Sequence, residues 1–265
     1  MRIPEIRRIA AWPWIAAALA AAPCAAVEYV PVPGGAFMGV LPPPGQVGAE
    51  EVAAFRMRET PVTNKDYRDF VRAHPQWRRD RVPRVFADAG YLGHWSASLE
   101  WGDAADATRP VTHVSWFAAR AYCRSEEARL PTWIEWELAA AADETRKDAR
   151  EDPAWRRRIL SWYERPGGAP PAPVGGAANV YGVRDLHGLI WEWVEDFNAL
   201  FIAEDSRDQN DPDKLRFCGA GALAVRDASN YAMLMRLALL SSLAAADTSA
   251  NVGFRCVRSG QETAP

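Results

Sequence analysis

The cysteine thiols are the side chains of this sequence that can take part in the largest number of reaction types, and they are few. Four cysteines occur in the 265 residues: Cys24, Cys123, Cys218 and Cys256. A deprotonated thiol can act as a nucleophile or bind a soft metal, and two thiols in an oxidising compartment can form a disulfide. Three of the four would remain after removal of an N-terminal export segment, so one disulfide plus one leftover thiol is the simplest expectation for an exported chain.

The other groups that could do chemistry are histidines and clustered acids. The histidines are scattered, and no two have the spacing of a metal site: His74, His94, His113 and His187. Two short segments are crowded with carboxylates, one containing Glu135 and Glu137 and the other Glu192, Glu195 and Asp196. Crowded carboxylates can have a raised pKa and act as general acids. No Ser-His-Asp signature and no phosphate-binding glycine loop accompanies them.

The N-terminus has the pattern of an export signal. A basic start is followed by an apolar run over 9–22 and by the small residues of Cys24-Ala25-Ala26. We therefore predict that residues 1–26 are removed, that the mature domain is 27–265, and that it is periplasmic or secreted. A retained membrane anchor and a lipid on Cys24 are the alternatives. A membrane span needs roughly 20 apolar residues, and this run is shorter.

Composition limits the partners. The chain has 31 basic and 34 acidic residues, a net charge of −3, and loss of the N-terminal arginines would make it more negative. Nucleic acid is therefore a poor partner, because phosphate binding needs a concentrated basic face. With 49% hydrophobic residues, the chain can bury one large core or two small ones.

Three helices are predicted from capping residues that precede apolar residues at helical spacing. Thr63 with Asp66, Ser115, and Thr132 with Glu135 can each accept the free N–H groups of a first turn. The resulting helices would give the domain most of its regular structure.

The rest of the chain is predicted to be short strand and loop. The segment 29–39 alternates like a strand that stops at a Gly-Gly turn, and its prolines favour an edge position. The charged segment 143–158 is expected to be a surface excursion, and 166–176 a long loop. Turn residues occur every few positions in the last third, so little regular structure is expected there.

Six blocks, in order along almost the whole chain, resemble the sulfatase-modifying-factor family, which includes the formylglycine-generating enzyme. They occupy 33–39, 59–64, 110–116 together with 121–123, 129–137, 179–193 and 249–256. The resemblance implies one α+β domain of the formylglycine-generating-enzyme type, related to C-type lectins, with few regular elements and much ordered loop.

The resemblance assigns the cysteines. The family's disulfide would join Cys123 to Cys256 and leave Cys218 unpaired. In the formylglycine-generating enzymes, two further thiolates hold Cu(I), activate O₂ and oxidise a substrate cysteine to an aldehyde. These fall at Ala232 and near Val225 in this sequence. Because soft Cu(I) needs soft ligands, no copper is expected here.

The resemblance also implies a calcium site. Asp185 and Glu192 would supply carboxylates, and Gly188 and Ile190 backbone carbonyls, an all-oxygen set that suits Ca²⁺. The alternative is that both acids hydrogen-bond loop amides. The family's second calcium site would fall within 166–176, which has no carboxylate or amide side chain, so we predict that it is absent.

The residues that line the family's cleft can be assigned to this sequence by their position. The polar groups of the cleft would be Asn230, Tyr231, Arg236 and Asn251, with Trp191 as an aromatic wall. His113 is expected to be a packed or capping residue, and for His187 a position facing the cleft is one alternative.

Two functions are compatible with these features. In the first, the chain is an accessory protein whose cleft holds a peptide or periplasmic protein, closest to the NirV group that is tied to copper nitrite reductase. In the second, it is a periplasmic oxidoreductase similar to the pyoverdine-tailoring member PvdO, acting on a small peptide-derived molecule. Sugar binding, as in lectins, is a further possibility. Formylglycine generation is not expected, because the copper-binding cysteine pair is missing.

Overall fold

Short strands and longer helices are joined by ordered loops. The structure, a computed structural model, describes residues 28–41, 48–163, 169–198 and 231–260. The strands are β1 (Tyr29–Val32), β2 (Gly35–Phe37), β3 (Glu50–Val52), β4 (Phe55–Arg58), β5 (Trp191–Glu192), β6 (Val252–Gly253) and β7 (Val257–Ser259). The helices are α1 (Asn64–Ala73), α2 (Trp116–Ser125), α3 (Trp133–Ala140), α4 (Pro153–Tyr163) and α5 (Tyr231–Ser241), with 3-10 turns at Pro75–Trp77 and Ala104–Thr108. The predicted export segment, Cys218, Val225 and Asn230 lie outside the described residues.

The strands form three small sheets. β1, β4 and β7 make an antiparallel sheet in that order, with Tyr29 opposite Arg58 and Met57 opposite Val257. The predicted edge position of the proline-containing first strand is confirmed, because β1 pairs only with β4 within this sheet. The chain turns at Gly34, where φ is 69°, and the second half of the predicted strand becomes β2, which pairs with β3. β5 and β6 pair in parallel.

The three predicted helix starts are confirmed. Thr63 accepts from the backbone N–H of Asp66 at 3.2 Å and begins α1, while Ser115 accepts from Ala118 at 3.2 Å and begins α2. Thr132 forms a capping box with Glu135 at the start of α3. Each cap satisfies amides that a first helical turn leaves without a partner.

Two helices were not predicted. The charged surface excursion contains α4, which buries Trp155 and Ile159 at helical spacing between arginines. The last third, expected to be irregular, contains α5, whose sequence is apolar on nearly every side. An apolar helix without a polar face gives no periodic signal and is stable only when it is buried.

The core joins the helices to the sheets through aromatic rings and a disulfide. Tyr67 of α1 stacks on Tyr122 of α2 with ring centroids 5.9 Å apart, and Phe254 packs edge-on against both. The predicted disulfide between Cys123 and Cys256 is present and links α2 to the chain just before β7. The chain is thus a single α+β domain. None of its described helices is long and apolar enough to cross a membrane.

Candidate functional site

A cleft of about 1130 Å³ lies beside β5 and α5. Its described walls include the loop before β5 and Trp191 itself, Arg236 on α5, and the segment 249–251 before β6. β5 and β6 are held together by the Trp191 N–H, which donates to the Asn251 carbonyl at 2.8 Å. The parallel pair therefore fixes two of the cleft walls relative to each other.

The structure places most of the predicted cleft residues together. Trp191, Arg236 and Asn251 all line the cleft, whereas Tyr231 at the start of α5 is 54% exposed and is not among the lining residues. The role of Tyr231 as a cleft residue therefore stays a prediction. The Asn251 side-chain oxygen accepts from the Ser249 hydroxyl at 2.6 Å, at an exposed rim.

Arg236 is fully buried between the cleft and the core. Its Nη2 donates to the Glu192 carbonyl at 2.5 Å, and its guanidinium lies 3.6 Å from the centroid of the Trp136 ring. A cation held against an indole face is stabilised by the ring quadrupole. Arg236 therefore fixes α5 to β5, a structural role that its sequence position did not indicate.

Glu192 is the centre of a buried polar network. Its Oε1 accepts from Arg255 Nη2 at 2.8 Å, and its Oε2 accepts from Arg255 Nε and Trp136 Nε1, each at 2.8 Å. Both charged residues are inaccessible to solvent. Arg255 also donates to the carbonyls of Glu59 and Arg184. The bidentate geometry balances one buried charge with the other.

These contacts bear on the implied calcium site. The Glu192 carboxylate faces a guanidinium and an indole N–H, so in this arrangement it does not fit a calcium ligand. Asp185, in the left-handed backbone region with φ 60°, accepts from the Gly175 and Gly176 amides at 2.7 and 3.0 Å. The contacts favour the alternative in which the acids bind protein groups. Calcium binding through Asp185, Gly188, Ile190 and Glu192 stays a prediction.

Two histidines that are distant in sequence stack on the cleft wall. The rings of His94 and His113 have centroids 5.0 Å apart and planes 25° apart. His113 has φ 53°, and its backbone is fixed by bonds to Ser249 and from Leu92. Partial desolvation lowers the pKa of both imidazoles, and His113 lowers that of His94 further. Both rings are therefore neutral near pH 7. The pair could not be predicted from the sequence, because the two histidines have no regular spacing.

His187 lies in a second, smaller cavity of about 230 Å³ and is not among the described residues that line the cleft. Its ring is surrounded by Trp136, Trp155 and Trp162, with centroids 5.6 to 5.9 Å away. Nε2 lies 2.8 Å from the Ala140 carbonyl and so carries the proton. Burial lowers the pKa of His187 to about 4, which keeps the imidazole neutral.

The crowded acids of α3 have structural partners. Glu135 receives a bidentate bond from Arg129 at 2.6 and 2.7 Å. Glu137 is buried and accepts from the Val40 amide and Trp133 Nε1, each at 2.9 Å. Burial raises the pKa of Glu137 to about 7, although it does not line the cleft. Its position away from the cleft makes general acid catalysis an unsuitable role.

The acids after β5 are also engaged. Glu195 pairs with Arg120 at 3.0 Å, and Asp196 accepts from the Trp133 amide at 2.8 Å. Burial raises the pKa of Asp196. The described residues contain no group of three or more histidine, cysteine, aspartate or glutamate side chains arranged for a metal ion. The carboxylates of this region thus stabilise loops and helix starts.

Comparison with known proteins agrees with this architecture. The family model for the sulfatase-modifying factor enzyme 1-like domain matches residues 17–260. The formylglycine-generating enzyme of Streptomyces coelicolor is 31% identical over 251 residues, covering 79% of each chain. The chain therefore belongs to the sulfatase-modifying-factor family, and the resemblance seen in the six sequence blocks is confirmed.

Two other relatives are named differently, one for another oxidation and one as inactive. The hercynine oxygenase of Mycobacterium tuberculosis is 34% identical over 160 residues, which cover 54% of this chain but only 38% of the oxygenase. The inactive C-alpha-formylglycine-generating enzyme 2 of Bos taurus is 30% identical over 210 residues, covering 63% of this chain and 70% of that protein. Family membership therefore leaves the activity open.

Proposed function

We propose that this chain is an exported accessory or binding protein whose cleft holds a peptide or protein partner without oxidising it. The observation that carries the proposal is the distribution of sulfur. Cys123 and Cys256 are joined to each other, and Cys24 belongs to the predicted export segment. Only Cys218 is then left, and one thiol cannot form the two-thiolate site that Cu(I) chemistry of this family needs.

The position aligned with a copper ligand supports the same proposal. Ala232 on α5 is 5% exposed and packs with Ala149, Trp155 and Ile159 in a small apolar cluster. Alanine offers no ligand atom, and its neighbours from α4 are apolar. The Bos taurus relative is named an inactive formylglycine-generating enzyme, so a member described as inactive is already among the similar proteins.

The cellular setting of the proposal rests on the export pattern. The chain would act in the periplasm or outside the cell, and a copper nitrite reductase is one client to test. Co-purification of the tagged full chain with that reductase would support this client. Loss of the association in a Trp191→Ala variant would assign it to the cleft.

Turnover and binding can be measured on the same protein. Purified chain is incubated with Cu(I), O₂ and cysteine-containing peptides, and both oxygen uptake and peptide mass are followed. We expect no uptake above the peptide-free background and recovery of unmodified peptide. An active formylglycine-generating enzyme serves as the positive control. Catalytic oxygen uptake with oxidation of the peptide cysteine would refute the proposal.

Binding is tested with one cleft variant and one matched variant. Trp191→Ala should weaken peptide binding by about tenfold, because it removes an aromatic wall of the cleft. Trp101→Ala removes a similarly half-buried indole outside the described cleft lining and should leave affinity unchanged. Equal affinities for all three proteins would show that the cleft is not the binding site.

A further inference from the structure

The described wall of the cleft contains no acidic side chain. This is unusual for a chain with 34 aspartates and glutamates and a net charge of −3. The smaller cavity next to it shows the contrast, since Asp143, Glu144 and Asp185 all line it. Trp162 and Leu186 border both cavities, so neighbouring spaces of the same domain differ in their acidic lining, although Arg158 and His187 also line the smaller one.

The ionisable groups among the described cleft residues are all bases. The stacked pair His94 and His113 supplies two imidazoles, while the Arg236 guanidinium is buried and bonded to the Glu192 carbonyl. An anion bound against stacked neutral imidazoles favours the uptake of a proton by one of them. No acidic side chain is among the described lining residues to bind a ligand cation, although Asp106 and Asp88, outside that lining, act electrostatically on His94 and His113.

The remaining wall suits an aromatic or apolar group. Trp136, Trp162 and Trp191 line the cleft together with Pro170 and Pro171. The Trp136 ring is buried beneath Arg236, so the indoles of Trp162 and Trp191 and the proline rings offer the contacts for a ligand ring. The polar rim is supplied by Ser249 and Asn251.

We propose that the cleft binds an acidic peptide segment, with a carboxylate directed to the His94–His113 pair and an adjacent aromatic side chain packed on Trp191. This inference rests on the proposed function and specifies the ligand's chemistry. The left-handed backbone of His113, tied to the Ser249 carbonyl, holds the imidazole on the wall before a ligand arrives.

The charge preference is tested by calorimetry with three matched peptides on the full mature chain. The first contains tryptophan and aspartates, the second has asparagine for each aspartate and an amidated C-terminus, and the third has lysine for each aspartate. We expect the acidic peptide to bind about tenfold more tightly than its amide counterpart, as a charge-assisted hydrogen bond predicts. The lysine peptide should bind most weakly.

The histidine pair is removed with substitutions that suit the backbone. His113→Asn keeps a residue that tolerates positive φ, and His94→Gln keeps a polar side chain. The double variant should bind the acidic and amide peptides within about threefold of each other, because the group that discriminates between them is gone. His74→Gln, at the end of α1 and outside the described cleft lining, should keep the tenfold preference.

The outcomes separate this inference from the function on which it rests. A lysine peptide that binds as tightly as the acidic one overturns the inference and leaves peptide binding intact. If no peptide binds, phenylacetate and phenylacetamide are compared as small probes. If phenylacetate binds more tightly than phenylacetamide and the double variant loses this preference, the anion site is supported and the peptide function is refuted. Equal or absent binding of both probes would refute both.

Discussion

Two adjacent residues of β5 face different environments. Trp191 lines the cleft, while Glu192 is inaccessible to solvent and is bonded to Arg255 and Trp136 in the core. Successive residues of a strand point to opposite sides, so one dipeptide contributes to both regions. Glu192 of the family's central block stabilises the core here, while Asp185 binds loop amides, and neither lines the described cleft wall.

The difference indicates which parts of the family architecture are retained. The core side of β5 depends on paired charges. Loss of either partner would leave a buried carboxylate or guanidinium without its counter-charge. The cleft side depends on ring surfaces and bases that can change without unfolding the domain. Substitutions on the two sides of β5 should therefore separate stability from binding.

The largest expected effect is on the core side. Arg255→Met leaves the Glu192 carboxylate buried without its counter-charge and should lower the free energy of unfolding by about 3–5 kcal/mol. Arg258→Met, an exposed arginine on β7 that lies over Tyr29, is the matched control and should cost no more than about 1 kcal/mol. Urea denaturation measures both. Equal, small losses would show that the buried pair does not stabilise the fold.

The starts of three helices could be predicted from the sequence. Thr63, Ser115 and Thr132 begin helices because capping is a local interaction between a side chain and the next few amides. α5 could not be predicted from periodicity, since its apolar residues surround the whole helix and its place is set by tertiary burial. α4 was obscured because arginines separate its buried residues.

The site was predictable only in part. The family resemblance predicted Trp191, Arg236 and Asn251 at the cleft by position, but the stacking of His94 on His113 depends on a loop fold that no local pattern reports. The partner of Glu192 could not be found from spacing either, because Arg255 lies in another block of the chain. Long-range pairing of this kind requires the tertiary structure.

A smaller effect is expected from the pH dependence of the core acids. Burial raises the pKa of Glu137 from 4.5 to about 7, so the folded state binds more protons than the unfolded state between these values. The free energy of unfolding should therefore fall by about 1 kcal/mol per pH unit as pH rises through this interval. Denaturation of Glu137→Gln should lack this contribution.

Glu151→Gln controls for the loss of an acidic charge. The Glu151 side chain is 95% exposed, so its substitution should leave the pH dependence of the wild type unchanged. If Glu137→Gln also keeps that dependence, the buried carboxylate is not the group responsible. The core side would then contain a different proton-binding residue.

The smallest effect is expected from calcium. Because Glu192 is bonded to Arg255 and Asp185 to loop amides, millimolar Ca²⁺ should raise the melting temperature by less than about 1 °C. Asp185→Asn should behave in the same way towards calcium. A saturable rise in the wild type that Asp185→Asn abolishes would instead establish the calcium site that the family resemblance implies.

Competition for Cu(I) measures whether the cleft has a copper site, because oxidase chemistry of this family depends on two thiolates. The full mature chain is titrated anaerobically against a coloured Cu(I) chelate, with an active formylglycine-generating enzyme as the positive control and Cys218→Ser as the matched variant. We expect the copper to stay on the chelator with wild type and variant alike. Transfer of one Cu(I) per chain to the wild-type protein would contradict this expectation.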